Sequence, residues 1–347
     1  MIQQSKSQTL ITGYLRTGSE YLSLLLNCHP QISVTMYSVN VLRFIYKKYD
    51  PISEKQNFEA ALNDTSERIE KRYNRSLNKA EILEAFSSHS NKTYGVFYDL
   101  IMNSLYLSKP AEHWAEKNQV LWREIPTFLD MMPEGKAILI IRDPRSVLFS
   151  FKNYTYVPPP AYLGAVFNML DAMRYGLLFK EKYPDRVYVV RYEDIARNPQ
   201  TTTKKLWRFL GLDESLDSFD YSNWIDAYAK PWHANSSFHS NDDLRKFDVE
   251  SSINRWKDNL SNLEIRMVEM ICKEVMQSYG YTTTTEKADW LPIIRLFAAD
   301  DKITSFFRKW VLTGEGVEAF PNDPLDPKNW RNENEKPYEK PGEDKNV

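Results

Sequence analysis

Apolar positions along this chain follow two rhythms. Dense short runs occur at residues 8–12 (Gln-Thr-Leu-Ile-Thr) and 136–142 (Lys-Ala-Ile-Leu-Ile-Ile-Arg). The second is the near-continuous apolar stretch of a strand covered on both faces. Longer segments with helical spacing lie at 20–28, 162–183, 201–210 and 262–279, the last two followed by Gly211 and Gly280 as helix stops. Residues 118–125 and 186–191 read as further strands. Strands separated by helices predict an α/β fold, a P-loop-like parallel sheet flanked by helices.

Polar stretches mark the additions to that sheet. Residues 50–92 are charged and helix-prone, a helical insertion expected to cover the substrate side. Residues 213–250 lose periodicity while carrying Trp224, Trp232, His233 and His239, which suits a lid or binding loop. A C-terminal helical appendage is expected at 286–320, with Trp290, Trp310 and several basic residues. Residues 321–347 hold five prolines among charges and too little apolar content to pack, so this tail is expected to be extended or disordered. The main domain is then 1–285.

Composition limits the partners. A chain of 347 residues, 42% hydrophobic, can bury one large core. Its net charge of −2 gives no global attraction to nucleic acid, which is not expected as a partner, so any anion site must be built locally. Cys28 and Cys272 fall in apolar helices and read as reduced packing residues, with no metal site expected. No charged-then-apolar leader precedes Thr9 and no 18-residue apolar run occurs, so the expectation is a cytoplasmic chain without a transmembrane segment, monomeric or homodimeric.

Two constellations carry chemistry. Gly13-Tyr14-Leu15-Arg16-Thr17-Gly18-Ser19-Glu20 has the two glycines of a phosphate loop, but Ser19 and Glu20 stand where the Lys-Ser/Thr pair would serve a metal-bound triphosphate. Placed between a strand and a helix start, its amides can cradle a phosphate without that metal machinery, and Arg16 supplies a cation. The second runs from Arg142 to Ser150. It sets an arginine at a strand end and a serine eight residues later on the following helix, able to grip one phosphate together.

With these motifs in order, the chain resembles the sulfotransferases that use 3′-phosphoadenosine-5′-phosphosulfate (PAPS, with product PAP). Arg16-Thr17-Gly18-Ser19 looks like the family's 5′-phosphosulfate loop and Arg142 to Ser150 like its 3′-phosphate motif. Tyr192-Glu193-Asp194 with Pro199 and Phe209-Leu210-Gly211 resembles the strand-helix stretch that follows, and Arg255-Trp256-Lys257 the segment that closes on the 3′-phosphate. Cys272, Met276 and Gly280-Tyr281 match its final helix. The resemblance covers roughly residues 8–281. It implies PAPS as cosubstrate, held by Leu15, Arg16, Thr17, Gly18, Ser19, Glu20, Tyr21, Arg142, Ser150, Tyr192 and Arg255, with Tyr192 approaching the adenine. Departures exist too: the cytosolic branch has lysine where Arg16 stands and tryptophan where Tyr21 stands, and its glycine-rich segment is missing around Arg255.

The implied reaction is sulfuryl transfer to an acceptor hydroxyl, on a carbohydrate or glycoconjugate first and a lipid or small alcohol second. Arg16 is expected to bridge the leaving oxygen, Arg123 to act as second cation and Glu124 as general base. His29, His233 and His239 are the alternative bases. Two other classes compete: a phosphoryl-transfer P-loop enzyme, and a non-catalytic sulfotransferase-like binding module.

Overall fold

The computed structural model describes residues 5–35, 39–105, 112–154, 160–216, 219, 224, 248–285 and 289–314. Five parallel strands form one sheet in the order β2-β3-β1-β4-β5: β1 (Ser7–Gly13), β2 (Ile32–Thr35), β3 (His113–Lys117), β4 (Lys136–Ile141) and β5 (Val187–Arg191). The predicted α/β architecture is therefore present, and parallel pairing is possible because helices cross over both faces. Alternation divides the core accordingly. Leu10, Leu139 and Ile141 pack on one face, Ile11, Ile138 and Ile140 on the other.

Among the described residues, sixteen α-helices accompany the sheet. The first half contributes α1 (Ser19–Leu26), α2 (Val41–Phe44), α3 (Lys55–Tyr73), α4 (Lys79–Ser88), α5 (Tyr94–Leu105), α6 (Ile125–Met131) and α7 (Pro144–Tyr154). The second contributes α8 (Ala165–Lys182), α9 (Tyr192–Arg197), α10 (Pro199–Leu210), α11 (Val249–Asn254), α12 (Trp256–Asn259), α13 (Asn262–Ile271), α14 (Lys273–Ser278), α15 (Leu291–Ala298) and α16 (Asp301–Thr313). The polar stretch after β2 becomes α3 and α4, as its spacing predicts. Their buried Phe58 and Phe86 rings stack 3.8 Å apart.

Three expected elements need correction. The strand expected at 118–125 lies earlier, at His113–Lys117; Trp122–Glu124 is a 3-10 turn. The ladder ends because Asn118 and Val120 donate to the Ile11 and Gly13 carbonyls while Val120 turns into the left-handed region at φ 63°. The single helix expected at 262–279 is two, divided at Cys272. The helix expected from 162 starts with a 3-10 turn at Ala161–Gly164. Most of the 213–250 loop, and the tail from 321, lie outside the described residues.

Register brings the useful ends together. Gly13 pairs with Ile140 and Ile11 with Lys117, so the phosphate loop, the residues after Lys117, Arg142 and Tyr192 all leave the sheet at its carboxyl edge. Gly13 is needed because β4 crowds it: a Cβ there would sit 2.4 Å from the Ile140 carbonyl oxygen.

Beneath that edge lies a buried ion system. Arg145, at the start of α7, donates to Asp143 at 2.6 and 3.0 Å and to Glu269 of α13 at 2.5 Å. Its guanidinium covers the Trp256 ring at 3.9 Å. Glu269 also accepts from the backbone of Thr284 and Thr285. These partners hold α12, α13 and the chain after α14 onto α7. Removing the one cation strands two buried carboxylates. Arg145→Met should therefore lower the unfolding free energy by about 3–5 kcal/mol in urea titrations; a loss below about 1 kcal/mol would show that the network is solvated.

Candidate active site

The phosphate loop is a strained turn between β1 and α1. Arg16 has φ 68° and Gly18 φ 93°, both left-handed. Gly18 is obligatory for a second reason: a Cβ would lie 2.4 Å from the Tyr192 ring. Thr17 Oγ1 donates to the Tyr14 carbonyl at 2.7 Å, closing the turn from inside. Buried Ser19 starts α1, and its hydroxyl accepts from Gln119 Nε2 at 3.1 Å. The result is an anion cradle at a helix N-terminus.

Arg142 fixes this loop to the rest of the site. Its Nη1 donates to the Arg16 carbonyl at 3.0 Å and its Nη2 to the Ser252 carbonyl, while the guanidinium lies 4.1 Å over the Tyr192 ring. Its Nε is buried without a hydrogen-bond partner among the described residues. A non-glycine residue in the left-handed region needs outside support, and Arg16 receives it through that carbonyl. The Arg16 side chain in turn donates from Nε to Ser150 Oγ at 2.9 Å. Ser150 thus uses a lone pair on Arg16, and its own O–H can be donated onward to an anion.

A second guanidinium approaches from α11 and α12. Arg142 and Ser146 grip the consecutive carbonyls of Ser252 and Ile253, which carries Arg255 towards Arg142. Burial pulls the pKa of Arg255 below its usual value, and the charge of Arg142 adds to the effect. Two partly desolvated cations that disfavour each other are stabilised by an anion between them. The order of Arg16, Arg142, Ser150 and Arg255 around one edge therefore suits a ligand with separated phosphate groups.

Other expected residues are placed differently. Tyr192 is buried between Gly18 and Arg142, where it shapes both. Tyr21 meets the buried Trp224 edge-on at 6.0 Å. Leu15 is half-buried against the core and Glu20 is exposed, so the carboxylate beside the cradle faces outward. Arg123 is held by Asp171 of α8, at 2.7 Å from Nη2 and 2.8 Å from Nε, and Asp171 also accepts from the Trp122 indole. The side chain expected to act as second transfer cation is thus paired with a buried carboxylate. Glu124 is half-buried and forms no ion pair among the described residues. His29 is structural. It is 1% exposed, its Nε2 lies 2.8 Å from the Asp213 carbonyl and its Nδ1 accepts from the Gln31 amide. His233 and His239 lie outside the described residues. No group of three or more His, Cys, Asp or Glu side chains is placed to hold a metal ion among the described residues, and none of their helices is long and apolar enough to cross a membrane.

Two features escaped the sequence. Gln119 reaches Ser19 because the strand ends at Lys117, a position hidden when the strand is read five to eight residues late. Glu116 is the other: a carboxylate inside a strand, fully buried, accepting from the Asn40 amide at 3.1 Å and from the Val39 amide. Arg68 of α3 donates to the Val39 carbonyl at 3.0 Å, so the pair clamps the turn entering α2. Arg43 of α2 then donates to the Val120 carbonyl, next to the phosphate loop.

A parallel sheet with a glycine loop and arginines meeting at its carboxyl edge suits the binding of an anionic ligand. The sulfotransferase family model matches residues 9–216, and the chain belongs to that family. It is 24% identical to carbohydrate sulfotransferase 1 of Danio rerio, over 80% of this chain and 78% of that one. It is 30% identical to carbohydrate sulfotransferase 5 of Mus musculus, over 47% of this chain and 45% of that one, and 26% identical to carbohydrate sulfotransferase 7 of Mus musculus, over 46% and 31%. The chain therefore spans less than half the length of those last two. Among solved structures, the sulfotransferase domain of the Synechococcus PCC 7002 olefin synthase is similar at 18% identity and a TM-score of 0.48, over 81% of this chain and 96% of that one. The protein is a sulfuryl-transfer enzyme.

Burial pushes the Glu116 carboxyl up to about 7 from 4.5, against the pull of the two amides and Arg68. The folded protein thus keeps a proton that the unfolded chain releases between those values. The stabilising effect is full below pH 4.5 and is lost as pH rises towards 7. Glu116→Gln, which keeps the acceptor oxygen, should remove this dependence. The wild-type-to-variant stability difference should change by on the order of 3 kcal/mol between pH 4 and 8 in denaturant titrations. A pH-independent difference would show that folding leaves the Glu116 carboxyl unshifted.

Proposed function

We propose that this enzyme uses PAPS as sulfuryl donor and sulfates a hydroxyl of a carbohydrate or glycoconjugate. The observation that carries the donor assignment is the meeting of Arg16, Arg142, Ser150 and Arg255 at the sheet edge beside a glycine-built phosphate cradle. The acceptor class rests on the matches to carbohydrate sulfotransferases.

The residues present fit such a donor. Amides of residues 15–20, on a helix N-terminus, would hold its 5′-phosphate end. Arg142, whose Nε awaits an acceptor, would hold the 3′-phosphate with Ser150 and Arg255. Tyr21, half-buried beside the loop, offers an aromatic face for the adenine. When bound, the donor supplies the sulfuryl group that passes from its 5′-phosphate oxygen to the acceptor oxygen.

The protein's own contribution is electrostatic and acid–base. Arg16 stabilises the charge that gathers on the departing phosphate; to do so it exchanges Ser150 for that oxygen. Glu124 takes the acceptor proton, in keeping with a carboxylate that no arginine neutralises among the described residues. Glu116 has a pKa suited to a base, but it is sealed beneath Val39 and Asn40 and acts by positioning them. Because Ser19 and Glu20 replace the lysine and metal-binding hydroxyl of a triphosphate loop, binding is expected to need no magnesium.

Thermal-shift and turnover measurements test this reading. PAP in EDTA should stabilise the protein by about 2.7 kcal/mol at a hundredfold excess over its dissociation constant. Stabilisation by ATP with magnesium and not by PAP would overturn it. Glu124→Ala should leave PAP binding unchanged and lower kcat by about 10²–10⁴-fold. An equal loss in binding would make Glu124 structural.

A further inference from the structure

The large hydrophobic side chains left exposed among the described residues are Leu178, Leu291, Ile294, Val311 and Leu312, the last 77% exposed. All five lie on α8 and the α15–α16 pair, remote in sequence from the phosphate motifs. A two-residue connection folds α16 back against α15, which brings the start of α15, with Leu291 and Ile294, towards the end of α16, with Val311 and Leu312. Arg174 of α8 donates to the carbonyl of Gly314 at 2.7 Å, so Leu178, one turn further along α8, borders the same end. Trp290 and Trp310 are half-buried there.

Asp300 and Asp301 lie at the turn between α15 and α16, whereas the charge towards the end of α16 is positive. Between Lys302 and Gly314 the chain carries Lys302, Arg308 and Lys309 and no acid. Arg174 and Arg295 add two more exposed cations, while Asp289 is paired with Arg266 at 3.3 Å. In a protein of net charge −2 this is a local excess. Exposed leucine and valine, half-buried tryptophans and a basic rim are the features of an interfacial helix that lies on an anionic bilayer.

We propose that the α15–α16 face is a peripheral docking surface for a membrane rich in anionic phospholipid, with Val311 and Leu312 entering the acyl boundary and Arg308 and Lys309 meeting the headgroups. A second copy of the chain is disfavoured as occupant, because pairing this face with itself would set Arg308 and Lys309 against their equivalents. The residues that follow, 315–347, have five prolines and few apolar side chains with which to cover it. The inference does not depend on the donor or acceptor assignment.

Co-sedimentation of the full chain with vesicles tests it, and needs no nucleotide. The protein should pellet with 3:1 phosphatidylcholine:phosphatidylserine vesicles and not with phosphatidylcholine alone, and half-molar salt should weaken the binding severalfold. Arg308→Gln with Lys309→Gln should weaken it about tenfold. Val311→Asp with Leu312→Asp should abolish it while leaving the melting temperature unchanged, since both side chains are exposed. Failure of the wild-type chain to pellet, or pelleting unaffected by the aspartate pair, would overturn the proposal. So would a dimer in sedimentation velocity that the same pair dissociates, which would assign the face to a second copy.

Discussion

One guanidinium organises the edge of this sheet. Arg142 stands just past the end of the interior strand β4 and donates both to the carbonyl of Arg16, in the phosphate loop, and to that of Ser252, in α11. Its face rests on Tyr192, whose ring excludes any side chain at position 18. A single planar, permanently charged group therefore sets the loop's left-handed turn, the approach of the C-terminal segment and the positive potential of the site. A lysine could not do this, because it has neither the fork of donors nor the flat face.

Such a group must itself be held, and the surrounding structure does so with buried charge. Asp143, the next residue, gives its amide to Glu193 and its carboxylate to Arg145, which extends to Glu269 and Trp256. Glu193 in turn accepts from Tyr281. Asp143, Glu193 and Glu269 are each partnered beneath the site. Two strands away, Glu116 of β3 and Arg68 of α3 clamp the turn into α2 in the same manner. The outcome is an edge where the cations Arg16, Arg142 and Arg255 converge while the acids are drawn inward, which is the electrostatic requirement for stabilising charge on a leaving phosphate.

Much of this was legible in the sequence, and the rest was hidden for physical reasons. The apolar run 136–141 and the glycine spacing at 13 and 18 are strong signals because a doubly covered strand and a tight anion loop admit few alternatives. β3 was misplaced because its buried interior includes Glu116 and its end is Lys117, so the more apolar Val120-Leu121-Trp122 looked like the strand. That shift also drew attention to Arg123, whose partner Asp171 lies on α8, 48 residues away and invisible to local pattern. The break at Cys272 likewise leaves no glycine or proline to announce it. Glu20 looked out of place beside a phosphate, and its outward orientation resolves the conflict.

The account depends on the paired arginines being made for a second phosphate. Calorimetric titration of 3′,5′-phosphoadenosine against adenosine 5′-phosphate, with the wild-type protein and Arg142→Ala, addresses that claim most directly. The wild-type protein should prefer the bisphosphate by about a hundredfold, as expected for charge-assisted hydrogen bonds of 1.5–3 kcal/mol each, and the variant should lose most of that preference, its affinity for the monophosphate falling less steeply as the phosphate loop loses one support. Equal affinity of the wild-type protein for the two nucleotides would contradict the account.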